Sequence, residues 1–83
     1  MPEICRFDGL IFKMLFKGAE HNPPHIHIYY GNYSVEISLI DLTILEGGLP
    51  KKQLSKTFEW MRKHQTELLD MWENESIRNL PPL

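Results

Sequence analysis

The chain has 83 residues, of which 42% are hydrophobic and 24% charged, with a formal net charge of -2. That length suits one domain spanning residues 1–83 around a single small core, and the composition excludes a disordered chain. The near-neutral charge argues against a strongly basic nucleic-acid binder, although a local basic patch would still be compatible with it.

No run of about 18 apolar residues exists, so no membrane span is expected. Glu3, Arg6 and Asp8 stand where a signal peptide would carry its apolar segment, which predicts no export signal. The one cysteine, Cys5, has no partner for an internal disulfide. A reducing, cytoplasmic setting fits that cysteine usage.

Ile4 to Phe7 and Leu10 to Phe16 are apolar, β-prone runs separated by Asp8-Gly9. Asp-Gly between such runs predicts a tight hairpin, because a type I′ turn needs positive φ at both central residues. A two-residue loop sets Phe7 opposite Leu10 and Cys5 opposite Phe12. Cys5, Phe7, Leu10, Phe12, Met14 and Phe16 then share the better core face, and Ile4, Arg6, Ile11, Lys13 and Leu15 share the other. Lys17 to Pro24 reads as a loop, stiffened by Pro23-Pro24. His25 to Tyr30 and Tyr33 to Leu39 read as two strands joined at Gly31-Asn32. Thr43 to Glu46 reads as a short return strand, with Gly47-Gly48 ending the sheet.

From Lys51 the hydrophobic period changes from two to about 3.6, and Pro50 is well placed to open a helix. Leu54, Phe58, Met61, Leu68 and Trp72 form the predicted apolar stripe, widened by Trp60, Leu69 and Met71, with Gln65 its polar exception. The pattern allows one helix to about Ser76 or a pair broken near Lys63-His64, where His64 is expected at the surface or the junction. Asn79 to Leu83 reads as an extended tail. The order of elements predicts an α+β fold: a twisted antiparallel sheet of about five strands, including two tight hairpins, with an amphipathic C-terminal helix or helix pair on one face.

Three of the four histidines fall in His21-Asn22-Pro23-Pro24-His25-Ile26-His27. A two-residue turn at Gly31-Asn32 fixes what surrounds them. Tyr30 faces Tyr33, Ile28 faces Val35 and Ile26 faces Ile37, an apolar set. On the other side Tyr29 faces Ser34, His27 faces Glu36 and His25 faces Ser38, a polar set. A slip of one residue would destroy this separation. Directly opposed residues have Cβ atoms roughly 4.5–5.5 Å apart, so His27 and Glu36 are expected to share a hydrogen bond that favours the protonated ring.

Three uses of this set follow. One is acid–base catalysis by His25 and His27, with Glu36 and Tyr29 assisting and His21, Asn22, Ser34 and Ser38 binding. Cleavage of RNA at its 2′-hydroxyl needs one base and one acid of this kind, and no cofactor. A second is zinc or another divalent transition metal held by His21, His25 and His27, with Glu36 as a further ligand. The third is a polar face that binds a partner without catalysis. Lys51, Lys52, Lys56, Arg62 and Lys63 read as a solvated helix face, and Glu67, Asp70, Glu73 and Glu75 make the later helix acidic.

Met1-Pro2-Glu3-Ile4, the His21 to His27 run, Leu45-Glu46-Gly47-Gly48-Leu49-Pro50, Glu59-Trp60 and Leu68-Leu69-Asp70-Met71-Trp72-Glu73 together resemble the small bacterial proteins grouped as domain of unknown function 4160. The resemblance covers nearly the whole chain, and its most specific part is the His-Asn-Pro-Pro-His-x-His run. It implies a compact cytoplasmic protein that works with a second small protein encoded beside it, in a toxin–antitoxin-like or regulatory pair. A second copy of the chain is the other partner to expect. The resemblance chooses no reaction.

Overall fold

The computed structural model describes residues 3–14 and 23–83. Five strands, β1 (Glu3–Phe7), β2 (Leu10–Lys13), β3 (His25–Tyr30), β4 (Tyr33–Ser38) and β5 (Ile44–Gly48), precede one helix, α1 (Lys51–Asn74). They form a single antiparallel sheet in the order β1-β2-β3-β4-β5, and the fold is α+β. The predicted elements are all present, and the helix is continuous through His64.

Turn chemistry sets the two hairpins. Asp8 and Gly9 both take positive φ, 51° and 80°, as the mirror-image type I′ turn requires. In the second hairpin Gly31 has φ 56° while Asn32 is not left-handed. That is the pattern of a type II′ turn, where only the first central residue needs positive φ. Both registers follow: Phe7 pairs with Leu10 and Cys5 with Phe12, and β3 pairs with β4 from Tyr30↔Tyr33 to His25↔Ser38.

Leu10, Phe12, Ile26, Ile28, Val35 and Ile37 on the sheet and Trp60, Met61, Leu68 and Met71 on the helix make the core, each at most 2% exposed. Phe12 and Trp60 rings meet at 4.3 Å between centroids. The tail is part of the structure: Leu80 N–H donates to the Ile4 carbonyl and Trp60 Nε1–H to the Pro81 carbonyl.

Four expectations need correction. Ile4, assigned to the outer face, is fully buried along with Cys5. Glu3 pairs with Lys13 and Cys5 with Phe12, so Ile4 is the extra residue of a bulge and turns inward beside its neighbour. Gly47 and Gly48 do not end the sheet; they complete β5, pairing with Val35 and Ser34. Gly47 has φ 79°, and a Cβ there would run into the Ser34 carbonyl oxygen and lie 3.1 Å from the Ser34 carbonyl carbon. Only glycine lets the two backbones come so close in that conformation.

The helix is rotated slightly from the predicted stripe. Its buried residues are Thr57, Trp60, Met61, His64, Leu68 and Met71, so Phe58 and Trp72 flank the core instead of filling it. Finally, His64 is in the interior, at 5% exposure. Its Nδ1 meets Glu67 Oε1 at 2.7 Å, while Nε2 has no partner among the described residues. Gln65, the polar interruption of the stripe, donates to the Leu39 and Ile40 carbonyls and ties the helix to the β4–β5 loop. Leu15 and Phe16 lie outside the described residues.

Candidate functional site

One sheet face carries the core, so period-two alternation places His25, His27 and Tyr29 of β3 and Ser34, Glu36 and Ser38 of β4 on the other. The flanking strands extend this set. Lys13 of β2 pairs with His27, and Glu46 of β5 pairs with Glu36. With Glu3 opposite Lys13, one row of ionisable side chains crosses all five strands: Glu3, Lys13, His27, Glu36, Glu46. Lys13 Nζ also lies over the Tyr29 ring, 5.5 Å from its centroid, within cation–π range.

A recess of about 230 Å³ opens on this face, lined by His27, Tyr29, Ser34, Val35, Glu36, Glu46 and Gly47. The close approach of β5 at Gly47 forms one wall. Sequence reasoning missed Lys13, Glu46 and Gly47, whose signal was the register of β2 with β3 and of β4 with β5, which no two-residue turn fixes. Gly47 was read as a terminator when it is a contact.

The histidines differ. His25 is 8% exposed, and its ring lies 5.3 Å from the Trp72 ring and 5.1 Å from the His27 ring, centroid to centroid. Its Nδ1 sits 3.0 Å from the Pro23 carbonyl oxygen. A carbonyl only accepts, so Nδ1 carries the hydrogen, and in the neutral ring Nε2 carries the lone pair. That Nε2 is 3.8 Å from Glu36 Oε1. The carboxylate expected to bond His27 therefore reaches toward His25, diagonally across the strand pair.

His27 lines the recess, its ring stacked on Tyr29 with an interplanar angle of 11°. Burial pushes the His27 imidazole below its ordinary pKa. Glu36 and Glu46 pull in the other direction, and His25 adds to the lowering. The expectation that Glu36 holds His27 protonated is thus reversed, because removal from water outweighs the carboxylate.

Ser34 is exposed at the recess. Ser38 is buried, and its hydroxyl accepts from the Ile40 N–H in the turn after β4. His21 and Asn22 lie outside the described residues. Cys5 is buried, and burial raises its thiol pKa, which keeps it protonated and unreactive.

The fold and this face define a small α+β protein that seals one side of an open sheet with a helix and carries His25, His27, Glu36 and Glu46 on the other. The chain belongs to the family described as Domain of unknown function (DUF4160), whose model matches residues 9–73. That span includes His25, His27, Glu36 and the Glu46-Gly47-Gly48 segment. No curated protein and no solved structure matches the chain. No helix among the described residues is long and apolar enough to cross a membrane.

Proposed function

We propose that this protein is one component of a small, cytoplasmic two-protein module of the toxin–antitoxin type, and that the recess on its polar sheet face is a site of proton transfer acting on RNA. The observation that carries the reading is geometric. His27 and Glu36 line the recess, and His25 stands behind them with a ring nitrogen within 4.8 Å of their donor atoms. A 2′-hydroxyl or a water needs a base on one side of the phosphorus and an acid on the other. His27, at the recess, is placed as the base; His25, with Nε2 toward Glu36, as the acid. The Tyr29 ring offers a surface on which a nucleobase can stack.

The two-protein part rests on the resemblance to the family and on a surface feature. Ile40, Ile44 and Leu45 are 59%, 43% and 42% exposed at the β5 edge and the loop before it, an apolar patch that a partner would cover. The second reading, a non-catalytic binding module, rests on that same patch.

The test pairs RNA cleavage with growth. Wild-type protein is expected to cleave RNA and His27→Ala to lose at least 100-fold in rate, the usual scale for an acid–base group. Expression alone should slow growth, and co-expression of the neighbouring protein should restore it. Equal inactivity of wild type and variant on RNA would refute catalysis and leave the binding module.

A further inference from the structure

A phosphodiester brought to the recess meets a charge problem. Glu36 and Glu46 are directly paired across β4 and β5 and both line the recess. Like charges directly opposed on a sheet are destabilising in themselves, and together they repel an anionic substrate. Lys13 sits on the far side of His27, over Tyr29, and does not separate the two carboxylates.

The distances supply an answer. His25 Nε2 and Glu36 Oε1 are 3.8 Å apart. That is too long for a hydrogen bond. With Nδ1 committed to the Pro23 carbonyl, Nε2 is the ring atom that faces the carboxylate oxygen, so a cation between them would have a donor atom on each side. Metal bonds of about 2.0–2.2 Å in a tetrahedral site put two donor atoms roughly 3.3–3.6 Å from each other, a little under the spacing seen. A ligand atom of His27 completes the group: one donor from each of His25, His27 and Glu36 lies within 4.8 Å of the others. Small side-chain rotations would close that triangle. The Nδ1–H to carbonyl bond of His25 is the outer contact that metal-bound histidines ordinarily make, fixing the ring so that Nε2 faces the ion.

We infer that His25, His27 and Glu36 form a three-ligand site for a divalent transition metal, zinc being the best match, with the remaining coordination position open to the recess. Two nitrogens and one carboxylate with an open position is the ligand set of catalytic zinc, whereas structural zinc sites are closed. Of the ligands drawn from sequence, His25, His27 and Glu36 come together here, and His21 lies outside the described residues. The bound ion would neutralise Glu36, relieve its repulsion with Glu46, and let an anion approach. The inference rests on the reading of the recess as a reaction site but replaces the acid–base roles of His25 and His27, because a ring nitrogen bound to a metal neither accepts nor gives a proton.

The experiment uses the full chain, stripped with chelator and then titrated with zinc chloride, and separately with cobalt chloride to read ligand geometry from visible absorption. One equivalent per chain, a tetrahedral cobalt band and a thermal midpoint that rises with metal are expected. His27→Ala and Glu36→Gln should each weaken binding at least tenfold, and Glu59→Gln, on the exposed helix surface, should not change it. Substoichiometric uptake by the wild type, or undiminished affinity in both ligand variants, would overturn the site. Circular dichroism reports whether His27→Ala folds. If it does not, wild-type stoichiometry and the near-isosteric Glu36→Gln still decide. RNA cleavage is measured in parallel, with and without chelator. Cleavage by metal-free protein overturns the metal inference and keeps the proposed function, whereas stoichiometric binding with intact RNA does the reverse.

Discussion

Replacing Gly47 by alanine tests the wall of the recess. At φ 79° an L-residue pays for a left-handed backbone, roughly 1–2 kcal/mol. The new methyl would also strike the Ser34 carbonyl oxygen and lie 3.2 Å from Val35 Cα. Those are backbone atoms, so no side-chain rotation relieves the contact, and overpacking adds about 1–3 kcal/mol. The expected total is about 2–5 kcal/mol, a large fraction of the stability of a domain this size. Two internal controls separate the contributions. Gly31 has φ 56° with nothing within 4 Å of a built Cβ, so Gly31→Ala should cost only the backbone component, about 1–2 kcal/mol. Gly48 has neither a positive φ nor a neighbour within 4 Å, and Gly48→Ala should be nearly neutral. Urea unfolding of the three variants measures the series. Gly47→Ala no more costly than Gly31→Ala would refute the close approach of β5 to β4.

The remaining predictions concern the two other imidazoles among the described residues, His27 and His64. Because burial lowers the His27 pKa in the fold, the unfolded chain, with its imidazole near about 6.5, binds more protons below that pH. Stability must therefore fall as pH drops through this region. His27→Gln, which keeps the facing His25, Glu36, Glu46 and Lys13, should flatten that fall in urea titrations between pH 5 and 8 with chelator present; parallel curves would refute the assignment. His64 leaves Nε2 without a partner among the described residues, and an orphaned buried nitrogen costs stability. His64→Leu should leave thermal stability unchanged or raise it by up to about 1 kcal/mol, and a loss above about 2 kcal/mol would show that Nε2 is partnered.

Local chemistry made the two hairpins legible. Asp8-Gly9 and Gly31-Asn32 each specify a two-residue turn, and the turn fixes every pair on either side. The meeting of His27 with Glu36 followed from counting alone. What escaped was non-local. The direction in which Glu36 leans, toward His25, depends on packing around Trp72 and Pro23, not on register. Lys13 and Glu46 join the site only because β2 lies beside β3 and β5 beside β4. Ile4 escaped because a bulge shifts the alternation by one. His64 is polar, which suggests surface, but the buried face of the helix runs through Trp60, His64, Leu68 and Met71 and not along the Phe58–Trp72 line.

Both outer strands carry a bulge, with Ile4 the extra residue in β1 and Leu45 in β5. On one side the tail already occupies the Ile4 carbonyl; on the other the ladder is interrupted at Leu45 and narrowed by two glycines. Among the described residues, each border is interrupted where a neighbouring molecule would need a regular row of backbone groups. The sheet therefore resists growing into a fibre or pairing strand to strand. Any protein that recognises the β5 end must do so through the side chains of Ile40, Ile44 and Leu45, which makes its specificity a matter of shape and sequence instead of generic backbone pairing.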